Sequence, residues 1–227
     1  VRREVSKSAG LAILAGLLAL AGCVVGRVDM SVTGYLNPKA PAGPAGGKFY
    51  VTPNDEAPNQ LLDAEVARKI EAVLRGKGGQ IVSRAEAAYV ISYDYGVGPG
   101  PTVTRSLPRY QPGEVATVPV RDASGRVVWV TVTTPGRTTY ETYSQVTHRR
   151  WLIVRVLDAR KLDQSNRTEA VWVGDTVSIG ASSDLRTTLN YLIVGTLDRL
   201  WTDTGEALEV SLPLDDPAAL QLKQVRQ

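Results

Sequence analysis

Cys23 is the only cysteine and His148 the only histidine of this 227-residue chain, and together they bound the chemistry it can perform. One thiol forms no internal disulfide. One imidazole excludes a multi-histidine metal site, and neither an HExxH nor a CxxC spacing occurs. A Ser-His-Asp relay survives a count of residue types, but no GxSxG turn presents a serine, and His148 stands beside Arg149 and Arg150 at a strand boundary, where exposure alone accounts for it. Gly96 to Gly100 (GVGPG) is interrupted by Pro99 and precedes no helix. Gly76-Lys77-Gly78-Gly79 has no serine or threonine after the lysine and sits at a helix C-terminus, where the dipole disfavours phosphate. Asp94 and Asp158 are the carboxylates best placed for a cleft, and strand-end solvation is the simpler reading of both. The sequence therefore points to no catalytic residue, no cofactor and no metal.

The chemistry lies instead at Cys23 itself. Arg2, Arg3 and Lys7 form a basic stretch, Leu11 to Ala21 an apolar run, and the small residues Ala21 and Gly22 lead into the cysteine, which is the grammar of a secretory signal peptide over residues 1–22. As a helix that run extends about 16 Å, roughly half the hydrocarbon thickness of a bilayer, so it directs export rather than spanning. Leu20-Ala21-Gly22-Cys23 resembles the lipobox of bacterial lipoproteins. The resemblance implies that the Cys23 sulfur receives a diacylglycerol, that the signal is cut before it, and that the new amino terminus is acylated, commonly with palmitate. The alternative is a free cysteine beside an ordinary cleavage site. Each buried methylene contributes about 0.8 kcal/mol and two or more chains anchor stably, so a lipidated Cys23 would fix the chain to a membrane. Val24, with no aspartate after the cysteine, resembles the outer-membrane sorting pattern, which implies a lipid anchor on the periplasmic face of that membrane.

Without residues 1–22, 23 basic side chains face 22 acidic ones. Such a balanced surface gives a nucleic-acid partner no support, because that binding needs a concentrated basic face. Apolar residues make up 43% of the chain, enough for one globular core.

Val28 to Tyr35 (VDMSVTGY) alternates as a strand. The proline- and glycine-rich stretch from Asn37 to Lys48 reads as a loop or a tether, and Phe49 to Thr52 as a short strand ended by Pro53. Leu62, Val66, Ile70, Val73 and Leu74 recur at helical spacing, with Asn59 as cap and Gly76 or Gly78 as terminator. Tyr89, Ile91, Tyr93 and Tyr95 share one face of the next strand, where core packing is the default and glycan or peptide binding the alternative. Trp151 to Leu157 (WLIVRVL), apolar on both faces, reads as a central strand with Ala170 to Val177 as its neighbour. Leu185, Leu189, Leu192, Ile193, Leu197 and Leu200 mark a second amphipathic helix. Residues 206–227 read as a polar C-terminal tail without assigned structure, after a single domain spanning 23–205.

Residues 98–138 form a long β-hairpin insertion. Val115 to Val120 and Val127 to Thr133 flank the turn Asp122-Ala123-Ser124-Gly125, and Thr138 to Thr147 is a third strand-like run leading toward Trp151. Arg105, Arg109, Arg121, Arg126 and Arg137 outnumber Glu114 and Asp122 there, and with Trp129 they form the candidate partner surface. Such an arm adds a strand to another protein, or is simply a solvated β-arm.

The helix LLDAEVARKIEAVLRGKG followed by AAYVISYDY, the strand WLIVRVLDARK, the strand AVWVGDTVSIG with Trp172 and Gly174, and the final amphipathic helix occur in this order behind the lipobox. That order resembles a bacterial lipoprotein family known as domain-of-unknown-function family 4136, over most of residues 23–205. The resemblance implies an α+β sandwich in the cell envelope, a mainly antiparallel sheet with two amphipathic helices on one face, and it implies no substrate or catalytic residue. The expected function is a non-enzymatic, lipid-anchored envelope lipoprotein of binding or scaffolding type. A peptidoglycan-binding or peptidoglycan-synthase-regulating role is the alternative, and a hydrolase with an unrecognised carboxylate site a more distant one.

Overall fold

A computed structural model describes residues 26–40, 43, 46–162 and 170–225. Residues 1–22, read above as a signal peptide, and Cys23 lie outside the described residues. In chain order the elements are β1 (Arg27–Leu36), β2 (Lys48–Val51), α1 (Gln60–Gly76), β3 (Gln80–Ile81), β4 (Tyr89–Pro99), β5 (Val103–Gln111), β6 (Val115–Arg121), β7 (Val127–Thr133), β8 (Arg137–Gln145), β9 (His148–Asp158), α2 (Ala159–Leu162), β10 (Ala170–Gly180), α3 (Leu185–Leu197), β11 (Leu208–Pro213) and α4 (Pro217–Gln224). They divide into two compact units. Among the described residues, one holds those up to Tyr95, those within 151–178 and those from Arg186; the other holds Gly96–Arg150 and Ile179–Leu185.

The first unit is built on a sheet of order β11-β1-β10-β9-β4-β2-β3. β1 runs antiparallel to both β10 and β11, and β2 runs parallel to β3 and β4. The α+β class expected from the sequence is the one observed. Along β1 the buried positions alternate through Met30 and Val32, and along β9 through Leu152, Val154 and Val156, as the pleat requires. β9 lies inside the sheet, in keeping with its largely apolar run, interrupted by Arg155 alone between Trp151 and Leu157.

α1 buries Val66, Ile70 and Leu74 on one stripe. The Asn59 side chain accepts the Leu62 N–H at 3.0 Å at its start. Gly78, at φ +85°, takes the left-handed conformation at its end, and the Gly79 N–H returns to the Leu74 carbonyl at 2.8 Å. In α3 every residue from Thr188 to Leu197 is buried, so beyond its exposed first turn this helix has no solvent face. Two small-residue positions let it settle on the sheet. A Cβ on Gly195 would stand 2.5 Å from Met30 Sδ. Thr196 donates to the Leu192 carbonyl at 2.6 Å, which leaves its oxygen to accept from the Thr176 hydroxyl at 2.7 Å.

The described part of the C-terminal stretch, 206–225, corrects the expectation of a polar tail over 206–227. Leu208–Pro213 is an edge strand in register with β1, from Arg27↔Pro213 to Val32↔Leu208. Asp216 caps α4 by accepting the Ala219 N–H at 2.9 Å, and Pro217 occupies the first turn. Ala219 and Leu222 are buried, and the Tyr191 hydroxyl donates to the Leu214 carbonyl at 2.7 Å. The physical reason is α3: a helix apolar on all sides needs cover beyond the sheet, and these last residues supply part of it.

Charge ties the two long helices together. Glu65 on α1 receives Lys69 Nζ on Oε1 at 2.5 Å, and Arg186 Nη2 and Nε on Oε2 at 2.6 and 2.9 Å. Burial alone would raise the Glu65 carboxyl, but the hydrogen bonds from Arg186 and Lys69 and their positive charges outweigh it and leave it below the usual carboxylate range. Lys69 is itself buried, so removing Glu65 would strand a cation.

Two outcomes follow from this packing. Leu222→Ala should lower unfolding free energy by about 2–4 kcal/mol, whereas Leu220→Ala, on the exposed side of α4, should change it by less than about 0.5 kcal/mol, read from urea denaturation of the full chain. Because the folded Glu65 carboxyl lies below its ordinary value of 4.5, its contribution is complete above that pH and is lost as pH falls through the folded value. Urea midpoints followed from neutral pH downward should therefore show a shallower acid decline in Glu65→Gln than in the parent, together with lower stability at neutral pH.

Candidate partner-binding arm

The second unit is dominated by two antiparallel ladders that share one register. β5 pairs with β8 from Val103↔Gln145 to Gln111↔Arg137, and β6 pairs with β7 from Val115↔Thr133 to Arg121↔Val127. The insertion expected over 98–138 is accordingly wider. Thr138 to Thr147, read as leading into the central strand, lies mostly in β8 and is the partner of β5. That pairing is set by a register between residues 26 to 42 apart in sequence, and no local signal in RTTYETYSQ announces it. At the base of the arm the Gly100 N–H donates to the Thr147 carbonyl at 2.9 Å.

The distal turn is specified by its own residues. Asp122 Oδ1 accepts from the Ser124 N–H, the Ser124 hydroxyl and the Arg126 N–H at 2.8, 2.7 and 3.0 Å, and Gly125 supplies the positive φ of +82°. These bonds, led by the Ser124 hydroxyl, hold the Asp122 carboxyl below its ordinary range. Between the two ladders the strands pass through Pro112-Gly113 and Pro135-Gly136. The Thr134 N–H still donates to the Glu114 carbonyl at 2.8 Å, and the Tyr110 ring closes over Gly136, where a Cβ would lie 2.4 Å from its hydroxyl.

Every residue of β5, β6 and β7 is solvent-exposed. The pleat sorts their side chains onto two faces. On the β6–β7 ladder, the pairs Ala116↔Val132, Val118↔Val130 and Val120↔Val128 share one face, which is aliphatic throughout. The opposite face carries Trp129, 69% exposed, across from Pro119, and Arg121, whose guanidinium donates to the Gly125 carbonyl at 3.0 Å. On the β5–β8 ladder Arg105, Arg109 and Arg137 share a face. Arg109 pairs with Glu141 at 2.6 Å and Arg137 Nε donates to Gln111 Oε1 at 2.8 Å. Both contacts are exposed and contribute little to stability. Arg126 belongs to the turn. The structure thus gathers the expected basic residues and Trp129 on one arm, but divides them between ladders and faces rather than into one patch. The aliphatic face is the feature that charge counting missed, although the alternation in VATVPVR and VVWVTVT carries its signal.

The residues weighed for catalysis are not assembled. Asp94 is exposed on β4. Asp158 accepts the Arg160 N–H at 3.0 Å and stands 3.6 Å from its guanidinium. Among the described residues no group of three or more His, Cys, Asp or Glu could hold a metal ion. The tyrosine face packs as core. Tyr93 is buried and donates to Asp63 Oδ2 at 2.7 Å, and its hydroxyl is raised well above the ordinary range by burial and by that carboxylate. Tyr95 stacks on Tyr93 with centroids 6.3 Å apart, and its hydroxyl is pushed up to about 12, by burial first and then by the Asp63 and Asp94 charges. In the first unit a cavity of about 340 Å³ is bounded by Phe49, Leu74, Leu197 and Trp201, with the Lys77–Asp198 ion pair (2.9 Å) on its lining. Trp201 adopts φ +65°, a costly conformation for a bulky residue, and its ring meets Tyr89 and Phe49 edge-on at 5.0 and 6.3 Å.

No family model matches the chain, and no curated protein does. Among solved structures it is similar to a PDZ domain protein from Parabacteroides distasonis, at 12% identity and a TM-score of 0.46, covering 82% of this chain and 39% of that one, so the chain spans about two fifths of that protein's length. It is also similar to the PelC dodecamer from Paraburkholderia phytofirmans in two crystal forms. One form, of a point variant, gives 16% identity and a TM-score of 0.37 over 76% of this chain and 98% of that one. The other gives 15% identity and 0.38 over 76% and 99%.

Proposed function

We propose that this chain is an exported envelope lipoprotein, anchored through Cys23 on the periplasmic face of the outer membrane, that acts by binding or scaffolding rather than by catalysis. The observation that carries the binding role is the arm: two exposed ladders whose outer strand edges are unpaired among the described residues and whose distal part presents an aliphatic face to water. An isolated two-stranded hairpin is at best marginally stable in water, and unpaired strand edges accept another strand. Strand addition through this arm is the recognition mode that fits. The anchor rests on the residues from Arg2 to Cys23 and their resemblance to a lipobox. The closeness of Gly100 and Thr147 sets where the arm can be removed.

Metabolic labelling with a palmitate analogue should mark the parent chain and leave Cys23→Ala unmarked, with the variant lost from the membrane fraction. An unlabelled parent would overturn the anchor. Replacing residues 101–146 by Asn-Gly, a two-residue hairpin turn, should leave the first unit folded while removing the crosslinked products that the parent gives in cells. Retention of those products would overturn the binding role.

A further inference from the structure

The exposed edge of the arm selects a particular kind of partner. Hydrogen bonds bracket the β6–β7 ladder at both ends: the Asp122 N–H donates to the Arg126 carbonyl at 2.9 Å and the Thr134 N–H to the Glu114 carbonyl at 2.8 Å. In an antiparallel pair, mutually bonded and non-bonded residue pairs alternate. The bonded pairs in between are therefore Ala116↔Val132, Val118↔Val130 and Val120↔Val128, and the intervening residues turn their N–H and C=O groups outward. On β6 one of these is Pro119, which has no N–H to offer. On β7 they are Val127, Trp129, Thr131 and Thr133, each with an outward donor and acceptor that no strand among the described residues meets. One edge of the distal arm is thus blunted and the other is open. The open strand, VVWVTVT, contains no charge, proline or glycine.

We infer that the open β7 edge pairs with the β7 edge of a second copy of this chain, antiparallel about a two-fold axis through Val130, giving a four-stranded sheet β6-β7-β7-β6. This rests on reading the arm as the binding element. The register is self-consistent. A two-fold through Val130 sets Val127 opposite Thr133 and Trp129 opposite Thr131 of the other copy, so outward-facing residues meet only outward-facing residues and every outward donor on the strand finds an acceptor. Like charges do not meet, since β7 carries none. The pairing also sets Arg126 of one copy opposite Thr134 of the other, so each cross-strand row at the ends of the seam reads Asp122, Arg126, Thr134, Glu114 and sets one positive side chain between two negative ones. Pro119 lies on the outer edge of the four-stranded sheet, which disfavours further addition and closes the assembly at two. Any extended segment can meet the open backbone edge; a second copy is the partner whose own residues, in this register, bring no charge to the seam and place Arg126 between Asp122 and Glu114 at its ends. Insertion of a lone hairpin into hydrocarbon is disfavoured by its unpaired backbone groups.

The test uses the full chain in its membrane. At Val130 the two copies form a non-hydrogen-bonded pair with Cα atoms about 4.5 Å apart, within disulfide range. Val130→Cys should form a disulfide-linked homodimer under mild oxidation, about tenfold more than Val120→Cys, whose sulfur sits on an outer strand about 14 Å across the sheet from the other outer strand. Adding Thr131→Pro, which removes only an outward N–H, should abolish that linkage while leaving the β6–β7 bonds intact. If Val130→Cys links no better than Val120→Cys, or links to a different protein, the second-copy inference falls; the binding reading survives it so long as replacing residues 101–146 still removes the crosslinked products. If linkage persists with Thr131→Pro, strand pairing is overturned.

Discussion

A helix with no solvent face beyond its first turn governs the first unit. α3 is buried from Thr188 to Leu197, and a helix apolar on all sides must be enclosed rather than laid on a surface. The rest of the unit answers that demand. α3 meets the sheet through small or short residues of its own, Gly195 against Met30 and Thr196 against Thr176, because larger side chains there would hold the layers apart. α1 lies beside it and is tied to it through Glu65 and Arg186. The last residues complete the enclosure, with β11 extending the sheet past β1 and the Tyr191 hydroxyl fastened to Leu214.

The same demand explains a second cluster of close contacts. Trp172 is wholly buried on β10 and donates its indole N–H to the Thr202 carbonyl at 3.0 Å, beyond the end of α3. Gly34 and Gly174 face each other directly across β1 and β10. A Cβ on Gly174 would lie 2.3 Å from the indole ring, and one on Gly34 would lie 2.5 Å from the Thr202 oxygen. The pair therefore makes a slot in the sheet into which the tryptophan and the returning chain fit. Their interlock fixes where the segment after α3 crosses β1 before it becomes β11.

Much of this was legible in sequence because it is local and periodic. The α1 stripe, its Asn59 cap and its Gly78 terminator each depend on residues within one or two turns, as does the Asp122–Arg126 turn. What escaped depends on distant partners. LEVSLP and DDPAALQL are short and only weakly apolar, and become a strand and a helix because β1 has a free edge and α3 an uncovered side. RTTYETYSQ reads equally well as a lead-in to β9 or as a partner of β5, and only the long-range register decides. On the arm, the positive side chains were visible one by one, but which of them share a face follows from pairing. The aliphatic face emerges only when Val118 and Val120 are set against Val130 and Val128.

The two units treat their backbone and apolar groups in opposite ways, and this contrast bears on the proposed function. In the first, Tyr93, Trp172, Tyr191 and Lys69 each meet a partner, and the large aliphatic side chains are almost all enclosed. In the second, Val118, Val120, Val128, Val130 and Val132 remain 38–46% exposed along strands whose outer edges stay open among the described residues. A seven-residue strand edge is a small contact, well below the roughly 800 Å² per partner of a standard stable interface, so in dilute solution it would hold two copies weakly. Attachment of both copies to one membrane changes that balance, since restricting two binding elements to a common surface raises their effective concentration without adding a single contact. The proposed Cys23 anchor and the proposed β7 pairing are thus complementary: the first supplies the proximity that the second is too small to achieve alone.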